Sequence, residues 1–462
     1  MPMRTFVAVL LALVVIALVR TEPAVSAGNN SPAVTRSPSF LFTVTPRYEA
    51  LAWIRGADRF PSGATILLHD SAGNRPLVPG FAASADSAVS FDGQRVLFAG
   101  KLKPQDSWQI WEMPLAGGTP RRITSGPEDC VRPFYLPGYP PKDRVVYARK
   151  TAERFAIEVA DLFGGKGLPL TYGPANSLPT DILRDGRILF ESTYPVGVGA
   201  TPELYTVYSD GSGFESYRCD HGNARHEGKQ TNSGDIVFAS RSGLAKFTSA
   251  LAREVVVPAP AGEYSGEVAE TTSGDWLLPW RADAKTHFQL MLWTPGDSAL
   301  RPSITEENAD AVQPALVGER VVPKRHPSGL HDWPNANLLC LNAYTSKYQF
   351  AAASIRSVRL YTRDGAGNAR LLGTAPVERD GSFFIQAPTE QPLQIELLDG
   401  AGATLKRESG FFWMRRGEQR ICVGCHAGPE TAPENAVPMI LLRSTTPADM
   451  TGAIAHNASG GH

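Results

Sequence analysis

The sequence lacks a charge of one sign. Its 462 residues carry 45 basic and 46 acidic side chains, a net charge of −1, so no field of one sign draws it to nucleic acid or an anionic membrane. Charge itself is scarce, at 20% of residues, below the ~25% of an average soluble chain. Cysteine is scarce as well, with five residues, an odd number that does not close a disulfide framework. Long apolar runs are missing except for one near the start. Glycine and proline are abundant, with 43 and 37 residues, well above the ~12% they usually make up together. Turn residues at that density point to many short strands rather than a helical bundle. The 42% apolar content excludes a disordered chain.

The single apolar run, Phe6 to Val19, follows Arg4 and precedes Val25-Ser26-Ala27. A basic start, a short apolar stretch and a small-x-small site are the parts of a secretory signal peptide, here residues 1–27. The run is shorter than the ~20 residues that span a bilayer. An uncleaved anchor is the alternative. No later run approaches it, so no membrane span is expected after cleavage. The mature protein is expected to work outside the cytoplasm, in the periplasm or another exported compartment.

A β-rich run after a Gly or Asp turn recurs about every 45 residues, at Gly93–Phe98, Asp143–Tyr147, Gly186–Phe190, Gly234–Phe238 and Gly274–Leu278, with a weaker copy at Gly318–Val322. Each is followed or preceded by a hairpin, as in 109–124, 203–213 and 65–74. Six inner strands and six outer hairpins, offset by half a repeat, predict a closed ring without open sheet edges. The expected fold is all-β, with a six-bladed β-propeller over 40–325; an irregular β-sandwich is the alternative. One segment between blades, Cys219-Asp-His-Gly-Asn-Ala-Arg-His-Glu227, carries His221, Arg225 and His226. These three either reach a ligand on the propeller face or merely join two blades.

The period is lost near Trp333. Asn337–Tyr344, Ile355–Thr362, the Asp-Gly hairpin at 377–385 and the alternating Leu393, Ile395 and Leu397 predict a small antiparallel, sandwich-like β-domain over 333–416. Cys340 reads as a buried thiol within it. Residues 417–462 then form a C-terminal segment with a frayed tail.

That segment holds Cys422-Val-Gly-Cys-His426. Two thiols separated by two residues can bond the two vinyl groups of a haem, and the adjacent His426 then ligates the iron. After an export signal this predicts one covalent haem c, with Cys422, Cys425 and His426 as its site. A zinc site or a Cys422–Cys425 disulfide is the alternative. Too few residues follow to build a helical shell, so the haem must be walled by the β-domain, the propeller or both. Phe411-Phe-Trp-Met414 offers an apolar face, and Arg415, Arg416 and Arg420 are candidate partners for the propionates. The candidates for the distal position are His331, His326, His221 and Met439, with His226 and His456 also in view.

The order of parts, and above all Val377-Glu-Arg-Asp-Gly-Ser-Phe-Phe and Arg416-Gly-Glu-Gln-Arg-Ile-Cys-Val-Gly-Cys-His426, resembles proteins related to the hydrazine synthase alpha subunit. The resemblance implies a six-bladed propeller with haem c in an exported bacterial protein. Two departures bear on activity. This chain has one haem motif, where that subunit carries two haems and an extra N-terminal domain. The tyrosine associated with that subunit's active haem has no counterpart in Ala427 to Glu430. Both argue against hydrazine synthesis.

Two functions follow. One is an exported mono-haem cytochrome, in electron transfer or small-molecule redox chemistry, whose partner is a redox protein or a small substrate. The other is a propeller-based binding or scaffold protein in which the haem is structural or a relay.

Overall fold

Short apolar runs separated by glycine turns assemble here into sheets of four strands. The computed structural model describes residues 38–139, 142–152, 154–193, 201–218, 222–363, 367–425 and 435–452. The signal segment lies outside the described residues. Among them the only α-helix is Met439–Arg443, and no helix is long and apolar enough to cross a membrane.

Residues 40–316 form a β-propeller built from six successive sheets. The second is Ala83–Val89, Arg95–Lys101, Gln109–Pro114 and Arg121–Arg122, each antiparallel to the next. The third, fourth and fifth begin at Cys130, Ser177 and Arg225 and repeat this order. In the sixth, the first strand is split into Glu263–Tyr264 and Ala269–Glu270, both paired with Trp276–Arg281. The first sheet is made from both ends of the region. Asp310–Leu316 lies antiparallel to Phe40–Thr45, which continues to Thr65–Asp70 and Gly73–Pro76.

The recurring runs found in the sequence are therefore the second strands of their sheets, not the innermost. The first strands, such as Ala83–Val89 and Arg225–Gln230, pack against one another around the axis. They do not alternate apolar and polar residues, because each is interrupted by a bulge that turns a polar residue inward. The weak sixth copy, Gly318–Val322, is not a strand, and Val321 is 80% exposed. Its place is taken by Phe40–Thr45. One strand, not half a repeat, crosses the seam.

The bulges share a geometry. Asp86, Arg132, Glu227 and Gln313 all have φ between 56° and 59°, a left-handed conformation that non-glycine residues rarely adopt. It points their side chains into one buried network. Arg59 makes two bonds to Asp86, at 2.8 and 2.6 Å. Asp86 also accepts from the Arg132 backbone N–H at 3.0 Å and from Gln313 at 2.6 Å. The Arg132 guanidinium donates to Glu227 and, at 3.2 Å, to Glu267. Glu191 accepts from the Glu227 N–H at 3.0 Å. Of the residues between blades, His226 lies beside this network and Arg225 turns away from it. His226 is pushed down to about 4 by burial and by the Arg132 charge. Arg225 is buried, pairs with Glu254 at 2.8 Å and lies over the Phe247 ring. Cys130 is buried with its thiol pushed up to about 11. Cys219 and His221 lie outside the described residues.

The second domain is a sandwich of two four-stranded sheets. One runs Ala369–Pro376, Ser357–Arg363, Leu393–Leu398, Thr404–Arg407, all antiparallel. The other runs Gln419–Cys422, Asn335–Cys340, Phe383–Pro388, Ala448–Asp449. Its two outer pairings are parallel, which corrects the expectation of a wholly antiparallel domain. The C-terminal segment is also less of a tail than expected. Ala448–Asp449 pairs with Ile385 and Gln386, and Met450 is fully buried in the sandwich core with Leu338, Ile385 and Met414.

The propeller and sandwich are joined through the stretch before the cysteines. Gly417, at φ 70°, turns where a Cβ would strike the backbone of His331. The next residue, Glu418, is buried; it accepts the Arg415 N–H at 2.7 Å and the propeller's Gly213 N–H at 3.2 Å, and pairs with Arg420 at 2.7 Å. Arg415 reaches Glu390 at 2.8 Å and the Tyr172 hydroxyl at 2.5 Å. The Trp413 ring stacks on Phe214 with centroids 3.7 Å apart.

Three outcomes are expected. Arg132→Met leaves Glu227 and Glu267 without their buried cation and should lower the free energy of unfolding by about 3–5 kcal/mol, measured by urea denaturation. Glu191 is raised by burial from 4.5 to about 7, so the native state holds its proton more tightly than the unfolded chain. Its contribution is greatest at low pH and is lost as pH rises through 7; His226 acts in the opposite sense. Glu191→Gln should therefore gain stability relative to the wild type between pH 4.5 and 7. Glu418→Ala strands two backbone donors and an arginine, at about 1–3 kcal/mol for each buried group. Fluorescence of Trp413 should then report undocking at lower urea than unfolding of the propeller.

Candidate functional site

Between the fourth and fifth sheets of the propeller and the sandwich lies a cavity of about 1000 Å³. The sandwich wall is apolar, from Leu338, Phe383, Ile395, Leu397, Phe411 and Phe412. The facing propeller wall is aromatic, with Tyr205, Tyr208, Phe214 and Tyr217, and Leu251 beside them. Residues 417–425 form the floor. Arg218, Lys406, Glu408 and Arg420 supply charge around it.

The cysteines sit on this floor because their strand is an edge of the sandwich. Gln419–Cys422 is held in register by Asn335–Cys340, the Leu341 N–H donates to the Cys422 carbonyl at 2.9 Å, and the Cys425 N–H donates to the Thr345 carbonyl at 3.1 Å. Gly424 is needed between them, since a Cβ there would overlap the Thr345 carbonyl oxygen. Both cysteines are free, partly exposed and part of the cavity lining. Burial raises both thiols, Cys425 to about 12. Cys340, expected only as core, is a third thiol on the same lining, directly opposite Cys422.

A haem is what the sequence motif asks for, and the residues around the cavity fit one. The volume is at the upper end of the ~300–1,000 Å³ usual for small-molecule sites, and two free thiols open onto a mainly apolar space. Of the aromatic run upstream, Phe411 and Phe412 line the cavity, Trp413 docks the propeller and Met414 is in the sandwich core. Of the three arginines, Arg420 lines the cavity, Arg415 pairs with Glu390 and Arg416 pairs with Asp332 at 3.0 Å. As to the zinc alternative, among the described residues no three His, Cys, Asp or Glu side chains come together to hold a metal ion, and His426 lies outside those residues.

His426, His221 and His456 lie outside the described residues. His326 stacks on Tyr208 with centroids 3.7 Å apart and sets Nε2 3.6 Å from Asp210, so it stands behind a wall residue. His331 stacks on Trp333, while its neighbours Gly329 and Leu330 line the cavity. Met439 opens the short helix, its N–H bonded to Asp380 at 2.7 Å, and is 40% exposed. Among the described residues no histidine or methionine lines the cavity; the propeller wall is made by tyrosines, serines, Phe214 and Glu215 instead. Sequence reading named the propeller as a possible wall but not these residues. The only signal for it was the cluster of aromatics at Tyr205, Tyr208, Phe214 and Tyr217, which a strand pattern explains equally well.

Residues 345–427 match the family described as "Hydrazine synthase alpha subunit middle domain". No curated protein matches the chain. Among solved structures, hydrazine synthase of Kuenenia stuttgartiensis is similar over 88% of this chain and 71% of its own, with a TM-score of 0.74 and 17% identity. A putative TolB from Agrobacterium tumefaciens covers 60% of this chain and 98% of its own at 16% identity, with a TM-score of 0.33. The propeller domain of the Trilobed protease from Pyrococcus furiosus covers 53% and 91% at 12% identity, also with a TM-score of 0.33. The last two are too distant in shape to bear on this chain. Over residues 345–427 the chain is thus similar to the middle domain of the hydrazine synthase alpha subunit, and over most of its length it shares the propeller-containing fold of hydrazine synthase.

Proposed function

We propose that the chain is an exported mono-haem c-type cytochrome, working in electron transfer or small-molecule redox chemistry. The observation that carries this reading is the placement of Cys422 and Cys425, free and separated by two residues, on the floor of a large apolar cavity. These two thiols would hold the haem and His426 would supply the proximal nitrogen. The bound group supplies one-electron chemistry and, where a coordination position is open, a place for a small molecule.

The chain's own residues set the conditions. Phe383, Phe411, Phe412 and Leu397 exclude water from one side, and Tyr205 and Phe214 from the other. Low solvent access and low polarity are the protein's means of setting a haem potential. Arg420 and Lys406 stand where acidic edge groups can be paired. Export is supported by the leader over residues 1–27, and it places the motif where covalent attachment takes place. The reading does not extend to hydrazine synthesis.

The mature protein should show a c-type haem spectrum, with colour retained through acid–acetone extraction and lost in the Cys422→Ala, Cys425→Ala variant. Haem that extracts into acetone would overturn the covalent site. Carbon monoxide added to the reduced protein then separates the two roles. A prompt Soret shift identifies small-molecule chemistry; an unchanged band identifies a six-coordinate carrier.

A further inference from the structure

Three of the four free cysteines among the described residues line one cavity. Cys340 ends the strand Asn335–Cys340 and Cys422 ends Gln419–Cys422. The strands are parallel, and these two residues stand directly opposite each other. Opposed residues on neighbouring strands send their side chains to the same face, and neighbouring strands lie roughly 4.7–4.9 Å apart. A disulfide accepts Cα separations of about 4.4–6.8 Å. Both thiols line the same cavity, and Cys422 packs against the core cluster that contains Cys340. The strand carrying Cys422 is the edge of its sheet, bonded on one side only, to the strand that carries Cys340.

We propose that Cys340 and Cys422 form a disulfide across these strands whenever Cys422 is not otherwise bonded, which makes Cys340 a competitor for the thiol that cofactor attachment needs. The disulfide stands on the strand register alone. Only its consequence for attachment rests on the haem reading above.

The chemistry is thiol–disulfide exchange with a small disulfide such as oxidised glutathione. Cys422, the more exposed of the two, loses its proton and attacks one glutathione sulfur. The glutathione S–S bond breaks and one glutathione thiolate leaves. Cys340 then loses its proton and attacks the Cys422 sulfur, releasing the second glutathione. The protein gives up two electrons and two protons, and the glutathione disulfide is reduced to two thiols. Burial keeps both protein thiols above their usual value, so the exchange is slow at neutral pH and quickens in base. Cys425 is the rival partner, and it is separated from Cys340 by the test.

The full chain, made where no haem is attached, is incubated with oxidised glutathione, alkylated and digested with trypsin without reduction. Cleavage after Arg325 and Lys347 isolates Cys340; cleavage after Arg420 and Arg443 leaves Cys422 and Cys425 on one peptide. The expected product is a cross-link between these two peptides, retained in Cys425→Ser and lost in Cys340→Ser. A bond confined to the 421–443 peptide, or full alkylation of all three thiols, would overturn the proposal. The exported protein gives the second readout, since Cys340→Ser should raise the fraction that carries haem. Covalent haem absent from every variant, with the cross-link still present, would sink the haem reading and leave the disulfide standing.

Discussion

One carboxylate bridges the two halves of this molecule. Glu418 sits at the turn into the cysteine strand and accepts backbone N–H groups from its own domain and from the propeller, while pairing with Arg420. The cavity exists only because two walls from different domains face each other at this separation. The sandwich alone would present Phe411, Phe412 and Phe383 to solvent. The propeller alone would present an aromatic strip on the outer strands of its fourth sheet. The Gly-Glu-x-Arg lead into the cysteines thus has a physical meaning: a glycine to make the turn, a glutamate to clamp the domains, an arginine to balance its charge.

Much of the fold was legible, and the part that was not has one cause. The recurring runs are apolar, follow tight turns and lie buried on both faces, so their period stands out. The first strands of the sheets were invisible because their task is the reverse. They point Asp86, Arg132, Glu227 and Gln313 into a shared network, and each carries a bulge that breaks the alternation. Burying these charges without one another would be costly, and the pairing that makes it tolerable joins residues from four different sheets. No local pattern records such a pairing.

The site was legible to the extent that it is local. Cys422, Cys425 and His426 announce themselves by spacing. The partner of Cys422 across the strands, Cys340, lies 82 positions earlier in the sequence, and nothing around it marks it as more than a core residue. Met450 reads as part of a loose tail in a stretch rich in threonine and glycine, yet it is fully buried. The aromatic wall from Tyr205 to Tyr217 is an ordinary strand pattern until the second domain is placed opposite it.

The seam of the ring has a bearing on timing. Phe40–Thr45 is the first strand among the described residues, and the strand that completes its sheet, Asp310–Leu316, is the last of the propeller. A chain delivered from its N-terminus keeps an unfilled edge beside Phe40–Thr45 through the delivery of every other blade. The ring locks in a single late event, and the sandwich that docks on it follows still later. The cysteine strand, itself an edge of the sandwich, arrives only after the last strand of the ring. A chain halted midway would have no cavity to offer, and its unpaired edge would be open to pairing with other chains.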